Sequence, residues 1–252
     1  MKKVIYTIAD NSLVAKDTYR LVLEGDGAVD GEFVNLEIPG FYLRRPLSVC
    51  DAEEGRLTIL YKTVGAGTRV LATLPVGTAI SVLTGLGKGF DANACRQKAL
   101  LVAGGLGAAP LYLLAKKLKA QGKEVRVVLG FNKKEEIVLE EAFRALCDSV
   151  VISTLDGSAG VKGFVTDAIK EMAGPAGHDG GQAGYDYFYT CGPMVMMKAV
   201  CKLLEGPGEA SLEERMGCGA GYCYCCSIQT KNGPRRVCAD GPVFKKEELL
   251  WE

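Results

Sequence analysis

Five cysteines crowd into one short stretch near the end of the chain, and four of them, Cys218, Cys223, Cys226 and Cys238, follow the pattern C-x4-C-x2-C-x11-C. This is the spacing that ligates a plant-type [2Fe–2S] cluster. Such a centre needs four thiolates converging from a loop wrapped close around it, with small residues where backbone N–H groups approach sulfur. Gly217, Gly219, Ala220 and Gly221 supply those small residues. A structural zinc site is the rival reading, but it usually takes paired C-x2-4-C knuckles, and only one end of this stretch has one. Unmetallated thiols are a third. Cys225 breaks the plant-type spacing and is read as a bystander. Cys50, Cys95, Cys147, Cys191 and Cys201 are scattered singly.

The N-terminal MKKVIYTIAD reads as a first strand and not as an export signal, so the ten cysteines point to metal or redox chemistry in a reducing compartment. Lys plus Arg equals Asp plus Glu at 30 each, which leaves no field of one sign for nucleic acid or an anionic membrane. Residues 99–115 are apolar enough to suggest a span. Gly104, Gly105, Gly107 and Pro110 inside them fit a strand, a turn and a helix start better. The sequence predicts a soluble cytoplasmic protein.

Three segments follow along the 252 residues. In residues 1–97, VIYTIA, YRLVLEG, FVNLEIPG, RPLSVCD, RLTILYKT and AISVLTG are short β-rich runs punctuated by turn residues, which predicts a small antiparallel β-barrel. In residues 98–208, strands KALLVAGG, EVRVVLGF, SVVISTL and YDYFYTCG alternate with helical patterns, which predicts a Rossmann-like parallel sheet covered on both faces. Residues 209–252, beginning near the Gly206-Pro207-Gly208 hinge, form a small cluster domain. The fold class is therefore multidomain, α/β and β. The Gly-rich link 173–184 reads as a surface loop, and the only histidine, His178, lies in it and receives no role.

Two turns end strands of the second segment. Gly104-Gly105-Leu106-Gly107 precedes an amphipathic helix with Pro110 in its first turn, where free N–H groups and the helix dipole favour a pyrophosphate. The pattern departs from G-x-G-x-x-G at Pro110. Cys191-Gly192-Pro193-Met194 ends a later strand, and both turns are expected to face one crevice. In the first segment, Arg44-Arg45-Pro46-Leu47-Ser48, Leu60-Tyr61-Lys62 and Gly65-Ala66-Gly67-Thr68 offer paired guanidinium donors, a ring that can stack on a flat ligand, and backbone and hydroxyl donors. Each also has an ordinary reading as an exposed charge, a core aromatic or a turn.

Taken in order, R-x-P-L-S, L-Y-K-x-x-G-x-G-T, G-G-x-G-x-x-P, C-G-P-M and C-x4-C-x2-C with a closing Cys238-Ala-Asp-Gly-Pro-Val-Phe244 resemble the ferredoxin–NADP reductase superfamily. Within it they are most similar to the electron-transfer subunits of type 1B dihydroorotate dehydrogenase. The resemblance covers essentially the whole chain. It implies FAD in the barrel domain, contacted by Arg45, Pro46, Leu47, Ser48, Leu60, Tyr61, Lys62, Gly67 and Thr68. It also implies NAD⁺ at Gly105, Gly107, Pro110, Cys191, Gly192 and Pro193, and the cluster in the last domain. It further implies an FMN-containing catalytic partner, assembled as two copies of each subunit, and a place in pyrimidine synthesis. The segment after the second-domain turn, Leu129-Gly-Phe-Asn-Lys-Lys134, has no acidic residue for ribose, so composition leaves NAD against NADP open while the resemblance favours NAD. No acid–base histidine or activated nucleophile is evident, as expected where cofactors carry the chemistry. Two alternatives stand: a related FAD and [2Fe–2S] reductase subunit serving ferredoxin or a sulfur-compound oxidoreductase, and a zinc-bearing binding module.

Overall fold

A computed structural model describes residues 1–26, 32–53, 55–173 and 184–251. His178 and the link residues 174–183 lie outside them. The chain divides into two compact units, Met1–Gly89 with Leu212–Val243, and Phe90–Ser211 with Phe244–Glu252.

In the first unit, β1 (Lys2–Ala15), β2 (Thr18–Glu24), β3 (Phe33–Leu36), β4 (Arg45–Glu53) and β5 (Arg56–Lys62) are followed by helix α1 (Ala66–Thr73) and β6 (Ala79–Leu86). The six strands close into a barrel of order β1-β2-β5-β4-β3-β6 with antiparallel pairing throughout. Period-two alternation sends Tyr6 and Ile8, Leu21 and Leu23, and Leu57 and Ile59 inward, and all six are fully buried. Each such side chain contributes roughly 1.5–3 kcal/mol. The helix α1 is not evident from the turn-like Gly65-Ala66-Gly67-Thr68. The Thr68 hydroxyl accepts from Gly65 N at 3.2 Å and donates to its carbonyl at 3.1 Å, which closes the first turn.

In the second unit, β7 (Lys98–Gly104), α2 (Ala108–Ala120), β8 (Glu124–Phe131), α3 (Glu140–Leu146), β9 (Ser149–Thr154), β10 (Val161–Lys162), α4 (Val165–Ala173), β11 (Tyr187–Cys191), α5 (Met194–Leu203) and β12 (Gly208–Ser211) follow in turn. The chain then passes through the hairpin β13 (Ser227–Thr230) and β14 (Gly233–Arg236) of the first unit, and β15 (Val243–Lys245) completes the seven-stranded sheet, ordered β10-β9-β8-β7-β11-β12-β15. From β10 to β12 every pairing is parallel. The central strands β7 and β11 are buried almost end to end, as expected of strands covered on both faces. Gly206-Pro207-Gly208 leads directly into β12, so this sheet keeps the chain until Ser211. The short strands β10, β12 and β15 carry too few residues to show a period, which is why the sequence pattern misses them.

Candidate functional site

The cysteine loop belongs to the first unit. Cys218 lies beside Cys223 and Cys238 beside Cys226, the backbone N of the first of each pair turned to the sulfur of the second. The four predicted ligands thus stand as two pairs. The hairpin β13–β14 makes the second pair: Val237 N donates to Cys226 O at 3.0 Å, which returns the chain beside Cys226 just before Cys238. Backbone N–H groups point at the sulfurs. Ala220 and Tyr222 donate to Cys218 Sγ at 3.4 and 3.3 Å, Cys218 N to Cys223 Sγ at 3.4 Å, Gly221 N to Cys238 Sγ at 3.2 Å, and Cys238 N to Cys226 Sγ at 3.4 Å.

These donors act on charge. Burial works to raise the Cys218 thiol, but the N–H groups of Ala220, Cys223 and Tyr222 and the Cys223 side chain outweigh it and bring the thiol down to about 6. Cys238 is pushed up to about 12, by burial first and then by its bond to Cys226 and that neighbour's charge. Two adjacent buried thiols resist ionising together unless a cation binds between them. Two cysteine pairs under backbone N–H donors would suit a centre that spreads negative charge over four thiolates. Cys226 and Cys238 are buried and Cys223 is exposed, as is Cys225.

Arg236 straps this loop. Its backbone N and its Nε donate to Asp240 Oδ2 at 2.8 and 3.0 Å, its Nη1 donates to Gly221 O at 2.8 Å, and its guanidinium lies 5.1 Å from the Tyr224 ring centre. Nothing in its sequence context marks it, because the partner carbonyl becomes a neighbour only once the hairpin forms.

In the barrel, Arg45, Pro46, Leu47 and Ser48 begin β4 and are half-buried. The Arg45 guanidinium lies 4.9 Å from the Phe41 ring centre, and a Cβ placed on Gly67 would come within 2.6 Å of Arg45 Nε. Arg45 therefore meets the N-terminal turn of α1, where Gly67 and Thr68 lie, and its charge and the helix N–H groups converge as an anion site requires. Leu60, Tyr61 and Lys62 end β5. Tyr61 differs from the expectation of a ring offered to a flat ligand. It is 1% exposed, its hydroxyl donates to Asn11 Oδ1 at 2.8 Å, and its ring stacks on Tyr19 with centres 5.6 Å apart. Thr68 likewise has its hydroxyl engaged by Gly65.

In the second unit the two predicted turns meet. β7 and β11 are neighbours, with Ala103 opposite Cys191, and their carboxyl ends carry Gly105–Gly107 and Cys191–Pro193. Gly107 lies against the Cys191 carbonyl so closely that a side chain there would strike backbone. Gly192, at φ +147°, would place a Cβ 2.8 Å from Gly104 N. Pro110 is the third residue of α2, where its missing N–H costs no helical bond, and no side chain caps that helix. Free N–H groups at the carboxyl edge of a parallel sheet are where an open α/β sheet binds a pyrophosphate. After β8, Lys134 N donates to Ser158 Oγ at 2.8 Å, and Asn132 Nδ2 donates to Glu136 Oε2 at 3.0 Å.

Comparison with known proteins matches residues 213–250 to the iron–sulfur cluster binding domain of dihydroorotate dehydrogenase B. Residues 101–202 match the oxidoreductase NAD-binding domain. Full-length relatives include the dihydroorotate dehydrogenase B (NAD(+)) electron transfer subunits of Fusobacterium nucleatum, 40% identical over 98% of both chains, and of Bacillus pumilus, 40% identical over 99% of this chain and 98% of that one. Among solved structures, an NADH-dependent reduced ferredoxin–NADP oxidoreductase described for flavin-based electron bifurcation superposes with a TM-score of 0.86 at 30% identity, covering 98% of this chain and 90% of the other. Phthalate dioxygenase reductase, at 18% identity, shares the fold with a TM-score of 0.66 over 91% of this chain and 87% of its own.

Proposed function

Because the chain belongs to the family of dihydroorotate dehydrogenase B (NAD(+)) electron transfer subunits, we propose that it carries electrons from a dihydroorotate-oxidising partner to NAD⁺ in pyrimidine synthesis, with three functional segments at 1–97, 98–208 and 209–252. The observation that carries this is the loop in which Cys218 with Cys223 and Cys226 with Cys238 form two thiol pairs, each under backbone N–H donors. When bound, FAD supplies exchange between a hydride and single electrons, and the cluster supplies single-electron relay.

The residues of the chain do the holding. Cys218, Cys223, Cys226 and Cys238 ligate the irons, and the N–H groups of Cys218, Ala220, Gly221, Tyr222 and Cys238 stabilise negative charge on their sulfurs. Arg45, with the first turn of α1 at Gly67 and Thr68, takes the FAD pyrophosphate. Pro46, Leu47 and Ser48 on β4 and Leu60, Tyr61 and Lys62 on β5 line the flavin, with Tyr61 contributing main chain because its ring is enclosed. Gly105, Gly107 and Pro110 with Cys191, Gly192 and Pro193 hold the nicotinamide nucleotide, where the close Gly107 to Cys191 approach brings backbone to the edge.

The partner in this proposal is an FMN-containing catalytic subunit in an assembly of two copies of each chain. The location in this proposal is the cytoplasm, a reducing compartment that keeps cysteines available as thiolate ligands. No helix among the described residues is long and apolar enough to cross a membrane. The likeness to the ferredoxin–NADP oxidoreductase supports a second reading, a subunit serving ferredoxin; the match over residues 213–250 favours the first. Anaerobic co-expression with the catalytic subunit tests both. Iron, sulfide and FAD in the purified complex with dihydroorotate-dependent NAD⁺ reduction is the expected result, and a colourless protein holding zinc would sink the proposal.

A further inference from the structure

Strand β3 is four residues long and buried on both faces, and Asn35 is its one polar member. Asparagine is disfavoured in a strand, and more so where an amide must leave water without partners. Asn35 is 2% exposed, and its Oδ1 accepts no hydrogen bond among the described residues. A buried amide oxygen without a donor in a barrel wall calls for a reason outside packing.

Its surroundings supply one. Asn35 lies opposite Pro46 of β4 in the strand register, and Pro46 belongs to the segment assigned to FAD. On its other side is the cluster loop: a Cβ on Gly219, next to Cys218, would lie 2.6 Å from Asn35 Nδ2. Gly219 has φ +66°, so both its backbone conformation and this approach require glycine. The side-chain amide of Asn35 thus sits between the turn that carries the first ligand and the strand that carries the flavin motif. Arg44 holds β3 there, its Nη1 donating to Asn35 O at 3.3 Å and to Ser81 O at 2.9 Å.

We propose that Asn35 is a positioning residue of the electron path: its amide, with Nδ2 foremost against Gly219, seats the Cys218–Gly221 turn on the barrel wall, and the positive end of its dipole there would raise the reduction potential of a cluster held by that turn. The inference rests on the cluster and flavin assignments above. The positive end of a dipole near a cluster stabilises its reduced, more negative state, so removing that dipole lowers the potential. The same amide fixes how the loop lies on β3, and electron transfer depends on that placement.

The test uses the complete complex with its catalytic subunit, as wild type, Asn35→Leu, which fills the same space without polar atoms, and Asn35→Ser, which is smaller and polar. Iron, sulfide and FAD are assayed first, and wild-type complex without them would defeat the functional assignment itself and not this inference. EPR-monitored redox titration of the cluster and stopped-flow reduction of the cluster by NADH are then measured. The expected result is full cofactor content in at least one variant, a cluster potential shifted negative in Asn35→Leu, and cluster reduction slowed at least tenfold. An unchanged potential and rate in a variant with full cofactor content would overturn the proposal. So would joint loss of iron and FAD in both variants, because Asn35 would then be a core residue only.

Discussion

Cys223 is the exposed member of its pair, and its Sγ accepts from Cys218 N at 3.4 Å. Replacing it with serine would leave three of the four proposed thiolates to hold a cluster. Cys223→Ser should abolish the EPR signal of the reduced cluster while the flavin absorbance remains, because none of the residues assigned to FAD lies in the loop. Gly107 makes the opposite kind of demand. In Gly107→Ala the new methyl group meets the Cys191 carbonyl and the Gly192 amide, both backbone, so the turn ending β11 must move. A displacement near 1 Å at a nucleotide site costs up to ~100-fold, and the KM for NADH should rise at least ~tenfold with iron and FAD content unchanged.

How much of this could be read beforehand varied residue by residue. The four clustered cysteines, the glycine turn and Cys191-Gly192 stand out by their spacing, and the structure brings Gly107 and Cys191 together. Tyr61 is different, because a tyrosine in an alternating strand has the same local signature whether its ring faces a ligand or the core. Only the partners Asn11 and Tyr19, 50 and 42 positions away, decide it. Asn35 left one trace, a polar letter in an apolar strand, but its significance depends on a loop that arrives almost two hundred positions later.

At the scale of elements, the hairpin β13–β14 and its strap decide how firmly the cluster loop is held. The Arg236 side chain ties Asp240, Gly221 O and Tyr224 together, and the N–H of the same Gly221 donates to Cys238 Sγ. Arg236→Met keeps the stem and removes those bonds, so the cluster should form but surrender iron to a chelator severalfold faster, as followed by loss of visible absorbance. Strand β12 carries a different liability. Glu209 is buried there, and its carboxylate accepts from Asp91 N at 3.0 Å. Burial pushes its pKa up to about 7, with the Asp91 charge adding to the rise, while the Asp91 N–H, Lys245 and the Tyr187 hydroxyl oppose it. The folded chain then keeps this proton from about 4.5 to about 7, where the unfolded chain has released it. This contribution to stability is complete below the lower value and is lost as pH rises through the upper one, by on the order of 3 kcal/mol at most. Glu209→Gln should melt higher than wild type at neutral pH and show a flatter Tm against pH across that window. A steeper slope in the variant would refute the assignment.

For the whole molecule, the chain visits its two units in the order first, second, first, second. Ending the chain after Val243 removes most of β15 together with Leu249, 3% exposed, Trp251, which packs on the core formed by α4, α5 and β11, and Lys246, whose Nζ donates to Leu204 O at 2.7 Å. The expected outcome in calorimetry is a lowered transition for the seven-stranded sheet, with the barrel still retaining FAD. The two predicted domain patterns were legible because each has its own period, two in the barrel and an alternation of strand and helix in the sheet. The return of the chain to the sheet was not, since three residues of strand following a metal-binding loop look like any tail.

That return sets a timetable for biosynthesis. The first six strands of the sheet are made before any cluster ligand, and the seventh only after Cys238. A ribosome must therefore deliver all four thiols before it can release the residues that finish the nucleotide sheet. Closure of one unit is a signal that the other has its full set of ligands, and the window for loading iron opens no later than the moment the sheet can close.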